Sequence, residues 1–229
     1  MSEAPLAETT TPQSNLNRKF GELTLTTSTF NDLSKITSPG TSLIIWERNL
    51  DQSLINWLSK MSADQLPSGR VLTDRQNIRD AIKTFFSNFK NDDQIEETLL
   101  ANDIALLAEK YADITNSNKI DIRLDVIQND ACWKFHLDRV NYRLVTTYIG
   151  EGTQYVSPKN ADDALEKQTD YNGPIEEISE QDVAIFKGSC SKKGAGIAHR
   201  SPPIKEKEGT RLLLCINARS DVSPSLYNS

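Results

Sequence analysis

The pattern of apolar residues predicts helices in the first half of the chain and strands in the second. Between about residues 51 and 114, three apolar stripes recur at the three-to-four-residue spacing of a helix. The first contains Leu54, Ile55, Leu58 and Met61, the second Ile78, Ile82, Phe85, Phe86 and Phe89, and the third Ile95, Leu99, Leu100, Ile104, Leu107 and Tyr111. Asp51 suits an N-cap of the first helix, and Thr73 with Gln76 has the form of a capping box for the second. We interpret these helices as scaffold.

From residue 119 onward the pattern changes to the alternation of a half-buried strand. Apolar and polar side chains alternate over residues 120–127. Shorter strand-like runs lie at residues 42–46, before the helices, and afterwards at 133–137, 143–149, 183–187, 197–200 and 211–217. The polar and acidic segment 157–182 predicts a long excursion or lid.

Helices followed by short strands predict an α+β protein. We expect an antiparallel β core, either a sandwich or a jelly-roll-like barrel, with the helical segment packed on its outside. The predicted division is a disordered leader at residues 1–17, a mainly helical segment at 18–118 and a β-rich core at 119–229.

Composition narrows the class of protein. The 229 residues carry 26 basic and 32 acidic side chains, and this acidic balance argues against nucleic-acid binding because phosphates require a concentrated basic surface. The chain lacks a stretch of about 18 apolar residues that could cross a bilayer. Its first 17 residues also lack the apolar centre of a signal peptide. Three cysteines without a C-x-x-C spacing fit a reducing compartment, so we predict a cytoplasmic protein without a membrane partner.

The candidate chemistry lies with the only two histidines of the sequence, His136 and His199. Residues two apart on an extended strand point to the same face, so Asp138 can join His136 on one metal ion. His199 is the only imidazole left to complete the site. Two imidazoles and one carboxylate suit Fe(II), Mn(II), Co(II) or Zn(II), and three protein ligands leave positions open for catalysis. The sequence therefore predicts a metal site at these three residues.

Other residues near the motif extend the candidate site. Arg211 follows His199 by twelve positions at the head of a predicted strand. It can bind a carboxylate bidentately, and a pair with a surface acid is equally expected. Thr147 and Tyr148 could add hydroxyl donors to the same ligand, although a tyrosine that fills the core fits the pattern as well. Cys132 is either a buried structural thiol or, if the chain bends there, a fourth metal ligand.

Three motifs closely resemble an uncharacterised bacterial family, domain-of-unknown-function family 1826. They are Cys132-x-x-Phe135-His136-x-Asp138, Arg143-Leu144-x-Thr146-Thr147-Tyr148-x-Gly150-x-Gly152-Thr153 and Gly196-x-Ala198-His199-Arg200-Ser201-Pro202-Pro203. The resemblance covers most of the chain after the leader and implies no established activity.

The chain also resembles the Fe(II)/2-oxoglutarate dioxygenase superfamily, notably its prolyl-hydroxylase-like branch. The resemblance lies in the order of the motifs: a His-x-Asp pair, a strand with Thr and Tyr, a distal His and then an Arg. This remote resemblance covers about residues 120–218 and implies a double-stranded β-helix. It implies iron held by His136, Asp138 and His199. It also implies 2-oxoglutarate bound at Arg211 with assistance from Tyr148. The reaction would be hydroxylation of an unknown small-molecule or protein substrate.

Two hypotheses of other classes stay open. The first is a zinc-binding protein on the same β scaffold that handles or senses metal without redox catalysis. Cys132 as a ligand would favour it, because thiolate ligation selects zinc. The second is an interaction module that binds no metal.

Overall fold

The computed structural model describes residues 23–87 and 94–227. Its α-helices are α1 (Gln52–Ser59), α2 (Ile78–Lys83), α3 (Gln94–Thr115) and α4 (Ala161–Lys167). Its strands are β1 (Leu23–Thr27), β2 (Thr41–Trp46), β3 (Gly69–Asp74), β4 (Lys119–Ile127), β5 (Tyr142–Ile149), β6 (Gln154–Tyr155), β7 (Glu176–Glu177), β8 (Val183–Lys187), β9 (His199–Arg200) and β10 (Arg211–Ala218). The protein is thus mixed α+β. The predicted leader and Phe89 lie outside the described residues.

Two sheets make up the β structure of the described chain. The large sheet has seven strands in the order β1-β2-β8-β5-β10-β4-β3, and the small sheet has three in the order β7-β6-β9. Neighbouring strands are antiparallel except for the parallel pair β1 and β2. His136 pairs with His199 through an isolated antiparallel bridge, so it extends the small sheet beyond β9.

The chain from β4 to β10 passes repeatedly between these two sheets. Strands β4, β5, β8 and β10 belong to the large sheet, whereas the His136 segment, β6, β7 and β9 belong to the small one. The chain order is β4, the His136 segment, β5, β6, β7, β8, β9 and β10. The space between the sheets is therefore bordered by segments from the whole second half of the protein.

The two faces of the large sheet bury different side chains. Because side chains alternate along a strand, Leu212 and Leu214 of β10 point to the face covered by α1, α2 and α3, where the largest apolar cluster lies. Leu213 and Cys215 point to the other face and pack with Tyr155 of the small sheet. This second face borders the space between the sheets.

Helices α1 and α3 lie where the apolar stripes predicted helices. Asp51 caps α1 as expected, because its carboxylate accepts a hydrogen bond of 2.8 Å from Ser53 N. The predicted capping box at Thr73 is wrong. Thr73 belongs to β3, and its hydroxyl donates to the carbonyl of Asp74.

The strand predictions agree with β2, β4, β5, β8 and β10. The predicted strand at 197–200 is confirmed only at its end, as β9. Segment 133–137 is not a strand, because only His136 is paired there and Cys132, with a φ of 58°, turns the chain just before it. Strands β1 and β3 were not predicted. They add to the same sheet as β4 and β8, so strands from both sides of residue 118 share one sheet. The division into a helical segment and a β-rich core stays a prediction.

The predicted excursion at residues 157–182 contains α4 and β7. Ala161 and Ala164 of α4 pack with Phe135 and Ala198, beside the two histidines. This segment therefore lies against the small sheet, and movement as a lid stays a prediction. Within residues 23–87 and 94–227, every helix is too short or too polar to span a bilayer.

Candidate metal centre

Backbone pairing brings the two histidines together. His136 N donates to His199 O at 3.0 Å, and His199 N donates to His136 O at 3.1 Å. Residues directly opposite one another in an antiparallel pair place their side chains on the same face. The two ring centroids accordingly lie 4.5 Å apart. His199 is buried and packs on the ring of Phe186, whereas His136 is partly exposed.

Asp138 completes the cluster. Its carbonyl accepts hydrogen bonds from Ser189 N at 2.7 Å and from Ser189 Oγ at 3.0 Å. Gly188 permits this approach, since a Cβ at that position would lie 2.5 Å from Asp138 O. The carboxylate lies 3.7 Å from His136 Nε2 and 3.3 Å from His199 Nε2. One potential ligand atom from each of the three residues lies within 4.8 Å of the others, so the structure brings the predicted triad together.

Hydrogen bonds fix the proton positions on both rings. His136 Nδ1 lies 2.9 Å from the carbonyl of Lys134, and His199 Nδ1 lies 3.0 Å from the carbonyl of Ile197. A carbonyl only accepts, so Nδ1 carries a proton and the neutral ring turns the lone pair of Nε2 toward Asp138. Asp138 Oδ2 is buried and contacts Arg143 as an ion pair, but it accepts no well-directed hydrogen bond from a described residue. Three acceptors that face one another fit a divalent cation between them.

The local charges favour the ligand forms of these side chains. Burial, assisted by the charges of His199 and Arg143, lowers the pKa of His136 below its ordinary value. Burial works to raise the pKa of Asp138, but His199 and Arg143 outweigh it and the pKa is lowered. Arg143 Nη1 lies 2.7 Å from Asp138 Oδ2. At neutral pH the cluster therefore offers a neutral His136 imidazole and an ionised carboxylate, as metal ligation requires.

A cavity of about 320 Å³ adjoins the cluster. We call it the inner cavity. Both histidines line it, together with Arg143 of β5 and the hydroxyl-bearing Thr153 and Ser201. A cavity of this size accommodates a small organic ligand beside the cluster.

Arg211 lies behind the wall of the inner cavity and is completely buried. Nε donates to Glu151 O at 2.6 Å, Nη1 to Ser201 Oγ at 2.8 Å, and Nη2 to Thr147 Oγ1 and Thr153 Oγ1 at 3.3 and 3.2 Å. These partners are all neutral oxygens, and no carboxylate of the described chain pairs with the guanidinium. Burial lowers the pKa of Arg211 to about 10, so the group stays charged at neutral pH. An unpaired buried charge is costly, and an anion in the cavity would offset that cost.

Of the two predicted hydroxyl residues, only Thr147 faces this side of the sheet. Tyr148 points to the opposite face, because side chains alternate along β5. Its hydroxyl donates to Asp103 Oδ2 at 2.6 Å, and burial raises its pKa well above the ordinary value. The structure does not bring Tyr148 to Arg211, which corrects the expectation for this residue.

Cys132 lines the inner cavity but is exposed, so it is not the buried thiol that the sequence suggested. It is also outside the triad, which is the group of potential metal ligands found among residues 23–87 and 94–227. The feature that would favour zinc is therefore missing from the described structure.

A family model described as a protein of unknown function, DUF1826, matches residues 27–217. The chain belongs to this family. The matched region contains the whole triad and Arg211, and the family predicted from the three motifs is confirmed. No curated protein matches this DUF1826 chain.

Several solved structures are similar to this DUF1826 chain. One is dioxygenase for auxin oxidation 1 from Arabidopsis thaliana in a binary complex with 2-oxoglutarate, at 11% identity and a TM-score of 0.49, covering 89% of this chain and 95% of that one. Another is a prolyl-4-hydroxylase from Pseudomonas putida, at 11% identity and a TM-score of 0.41, covering 83% and 98%. A third is a full-length protein from Neurospora crassa in complex with alpha-KG, at 13% identity and a TM-score of 0.40, covering 78% and 74%.

Sequence reasoning did not assign a role to Arg143, Thr153 or Ser201. Arg143 contacts Asp138, and the two hydroxyl residues contact Arg211. The signal for Arg143 was present, because it stands four residues before Thr147 and so shares its face of β5. The hydroxyl residues lie outside the long strands, and their convergence on Arg211 depends on the tertiary fold.

Proposed function

We propose that the protein is an Fe(II)/2-oxoglutarate-dependent oxygenase that hydroxylates a C–H bond of a substrate. The observation that carries the proposal is the convergence of two imidazoles and one carboxylate within 4.8 Å. This is the ligand set of non-haem Fe(II) oxygenases, and it leaves coordination positions open. The inner cavity, and the unpaired charge of Arg211 behind its wall, support a cosubstrate that is an anion.

The strand order supports a double-stranded β-helix for the region from β4 to β10. Four segments lie in the large sheet and four in the small sheet, and the chain crosses between the sheets at most of its turns. In a jelly-roll-like core of this kind, the interior-facing residues of both sheets border one central space. The triad and the inner cavity lie in that space.

Each side chain has a distinct role in the proposed enzyme. His136, Asp138 and His199 would hold the metal, and Arg143 would keep the Asp138 carboxylate in place. Fe(II) and 2-oxoglutarate, when bound, supply the oxygen activation and the electrons that hydroxylation requires. Arg211 would bind the distal carboxylate of 2-oxoglutarate through its guanidinium, which suits a carboxylate geometrically.

Thr147 would assist by holding that guanidinium in place, since it accepts a hydrogen bond from Arg211 Nη2. The long segment at residues 157–182 packs beside the histidines and would help to exclude water from the site.

Iron is proposed over zinc for a reason of charge. A protein that only stores or senses metal has no need of a buried arginine without a paired carboxylate behind the wall of the inner cavity, whereas an oxygenase with an anionic cosubstrate does. The position of Cys132 outside the triad points the same way.

The experiment is anaerobic purification, loading with Fe(II), and addition of 2-oxoglutarate and O₂ with measurement of bound metal and succinate. We expect one bound metal and slow succinate formation even without substrate. His199→Ala and Asp138→Ala should lose both, whereas Asp163→Ala, a surface aspartate of α4, should keep both. Metal binding without 2-oxoglutarate binding or succinate formation would contradict the proposal and favour metal handling.

A further inference from the structure

A second cavity of about 550 Å³ adjoins the inner one. We call it the outer cavity. Arg123 of β4 and Arg143 of β5 line both cavities, so the two spaces meet at these side chains. Asn217 near the end of β10 also lines the outer cavity.

The register of β10 orders the two cavities relative to Arg211. Arg211, Leu213, Cys215 and Asn217 share one face of the strand and follow each other at about 6.6 Å intervals. Leu213 and Cys215 line the inner cavity, and Asn217 lines the outer one. Arg143 spans both cavities, because its Nε donates to Asn217 Oδ1 at 2.8 Å in the outer cavity and its Nη1 contacts Asp138 of the triad. The outer cavity therefore approaches the triad from the side opposite Arg211.

Arginine dominates the charge of the outer cavity. Its charged lining residues are Arg70, Arg123, Arg139, Arg143, Asp121 and Asp221. Two of these arginines are held by carboxylates. Arg70 donates to Asp121 through Nε and Nη2 at 3.0 and 2.7 Å, and Arg123 Nε lies 2.7 Å from Asp125 Oδ2.

The other two arginines keep free donors. Arg139 is exposed and has no ion pair or hydrogen bond with a described residue, so its whole guanidinium is available. Arg143 uses Nε and Nη1, which leaves Nη2 without a described partner. Asp221 is an exposed acid on the loop after β10, and no described cation pairs with it.

The outer cavity also has an apolar part. Val140 and Val222 line it, and Val222 is 77% exposed. An exposed valine in the same cavity as guanidinium donors without a described partner suits a ligand that joins an apolar group to an anion.

We infer that the outer cavity binds an organic anion, a carboxylate or a phosphate on an apolar group, through Arg139 and Arg143 Nη2. The guanidinium fork matches both oxyanions. That this anion is the substrate rests on the proposed function, whereas its binding does not. The anionic group would be held at the outer arginines while the apolar part extends toward the triad.

The test is calorimetric titration of the metal-free full-length protein with benzoate, phenyl phosphate and benzyl alcohol. We expect at least one of the two anions to bind, and the stronger one identifies a carboxylate or a phosphate as the preferred group. Arg139→Gln should weaken that binding about tenfold, as for the loss of a charge-assisted hydrogen bond. Arg79→Gln is the matched control, because Arg79 is also an exposed arginine but belongs to α2 and pairs with Glu109 of α3, and this variant should bind like the wild type.

Three results would overturn the inference: neither anion binds, benzyl alcohol binds as tightly as the anions, or Arg139→Gln leaves binding unchanged. The outcome is separable from that of the proposed function. Succinate formation without anion binding overturns this inference alone. Anion binding that depends on Arg139, in a protein that never consumes 2-oxoglutarate, supports the anion site and contradicts the oxygenase.

Discussion

The large sheet has a buried arginine against each face, and the partners of these two arginines differ. Arg48 lies on the helix side, where both Nη atoms donate to the carboxylate of Asp103 and Nε donates to Gln181 O. The hydroxyl of Tyr148 donates to the same carboxylate. Arg211 lies on the cavity side and donates only to one carbonyl and three hydroxyl groups.

The two environments shift the pKa values of these arginines in opposite directions. Burial opposes the charge of Arg48, but Asp103 outweighs burial and the pKa of Arg48 is raised. Burial lowers the pKa of Arg211 to about 10, because it outweighs the opposing charges of Glu177 and Glu151, neither of which pairs with the guanidinium. A buried ion pair with satisfied donors is complete in itself, whereas a buried cation without a counter-ion is stabilised by an anionic ligand. The helix side of the sheet is therefore structural, and the cavity side is suited to binding.

Breaking the pair on the helix side should give the largest effect. Asp103→Asn leaves the charge of Arg48 buried without a counter-ion and weakens the hydrogen bond from Tyr148. We expect the free energy of unfolding to fall by about 3 kcal/mol, at the lower end of the cost of breaking a buried ion pair. Urea unfolding followed by circular dichroism measures this loss.

The control for Asp103→Asn lies on the same helix. Glu109 of α3 pairs with Arg79, and their side chains are 37% and 57% exposed. Glu109→Gln should change the free energy of unfolding by less than about 0.5 kcal/mol, as is usual for exposed pairs. Equal losses in the two variants would contradict the structural role of the Arg48 pair.

Removing the arginine on the cavity side should change binding more than stability. Arg211→Gln is expected to weaken 2-oxoglutarate binding by about tenfold or more, the value of a charge-assisted hydrogen bond. Its free energy of unfolding should fall less than that of Asp103→Asn, because no carboxylate of the described chain loses its partner. Titration of Mn(II)-loaded protein with 2-oxoglutarate measures the affinity without turnover.

Arg75→Gln serves as the control for this titration, since Arg75 is exposed and pairs with Asp113 far from the inner cavity. It should bind 2-oxoglutarate as the wild type does. Unchanged affinity in Arg211→Gln would remove the assignment of Arg211 to the cosubstrate, and the contrast between the two arginines would then carry no functional meaning.

Local periodicity was enough to predict most of the long elements, because their signal is contained within one segment. The alternation at residues 120–127 and the apolar stripe of α3 are examples. Strand β3 was not predicted because Val71 and Leu72 are its only apolar residues, and because it pairs with β4, which is distant in sequence. The sequence offered the bend at Cys132 only as an alternative, because a non-glycine residue with positive φ has no simple sequence signal.

The metal ligands were predictable because histidine is scarce in this sequence. With two histidines in the sequence, the triad followed from the His-x-Asp pair and the one remaining imidazole. The partners of Arg48 were not predictable, because Asp103 and Arg48 are 55 positions apart and their contact depends on how α3 packs. Thr147 and Tyr148 could not both have faced one ligand, since adjacent strand residues point to opposite faces.

The smallest expected effects come from that adjacent pair, and they separate the two faces most sharply. Thr147→Val removes an acceptor 3.3 Å from Arg211 Nη2, so we expect 2-oxoglutarate affinity to fall by about threefold, within the net range of one hydrogen bond. Tyr148→Phe removes the hydrogen bond to Asp103 and should lower the free energy of unfolding by about 1 kcal/mol, with affinity unchanged. The same titration and urea unfolding measure both variants. If Tyr148→Phe weakened 2-oxoglutarate binding as much as Thr147→Val does, the helix side would take part in ligand binding. The separation between a structural face and a binding face would then be lost.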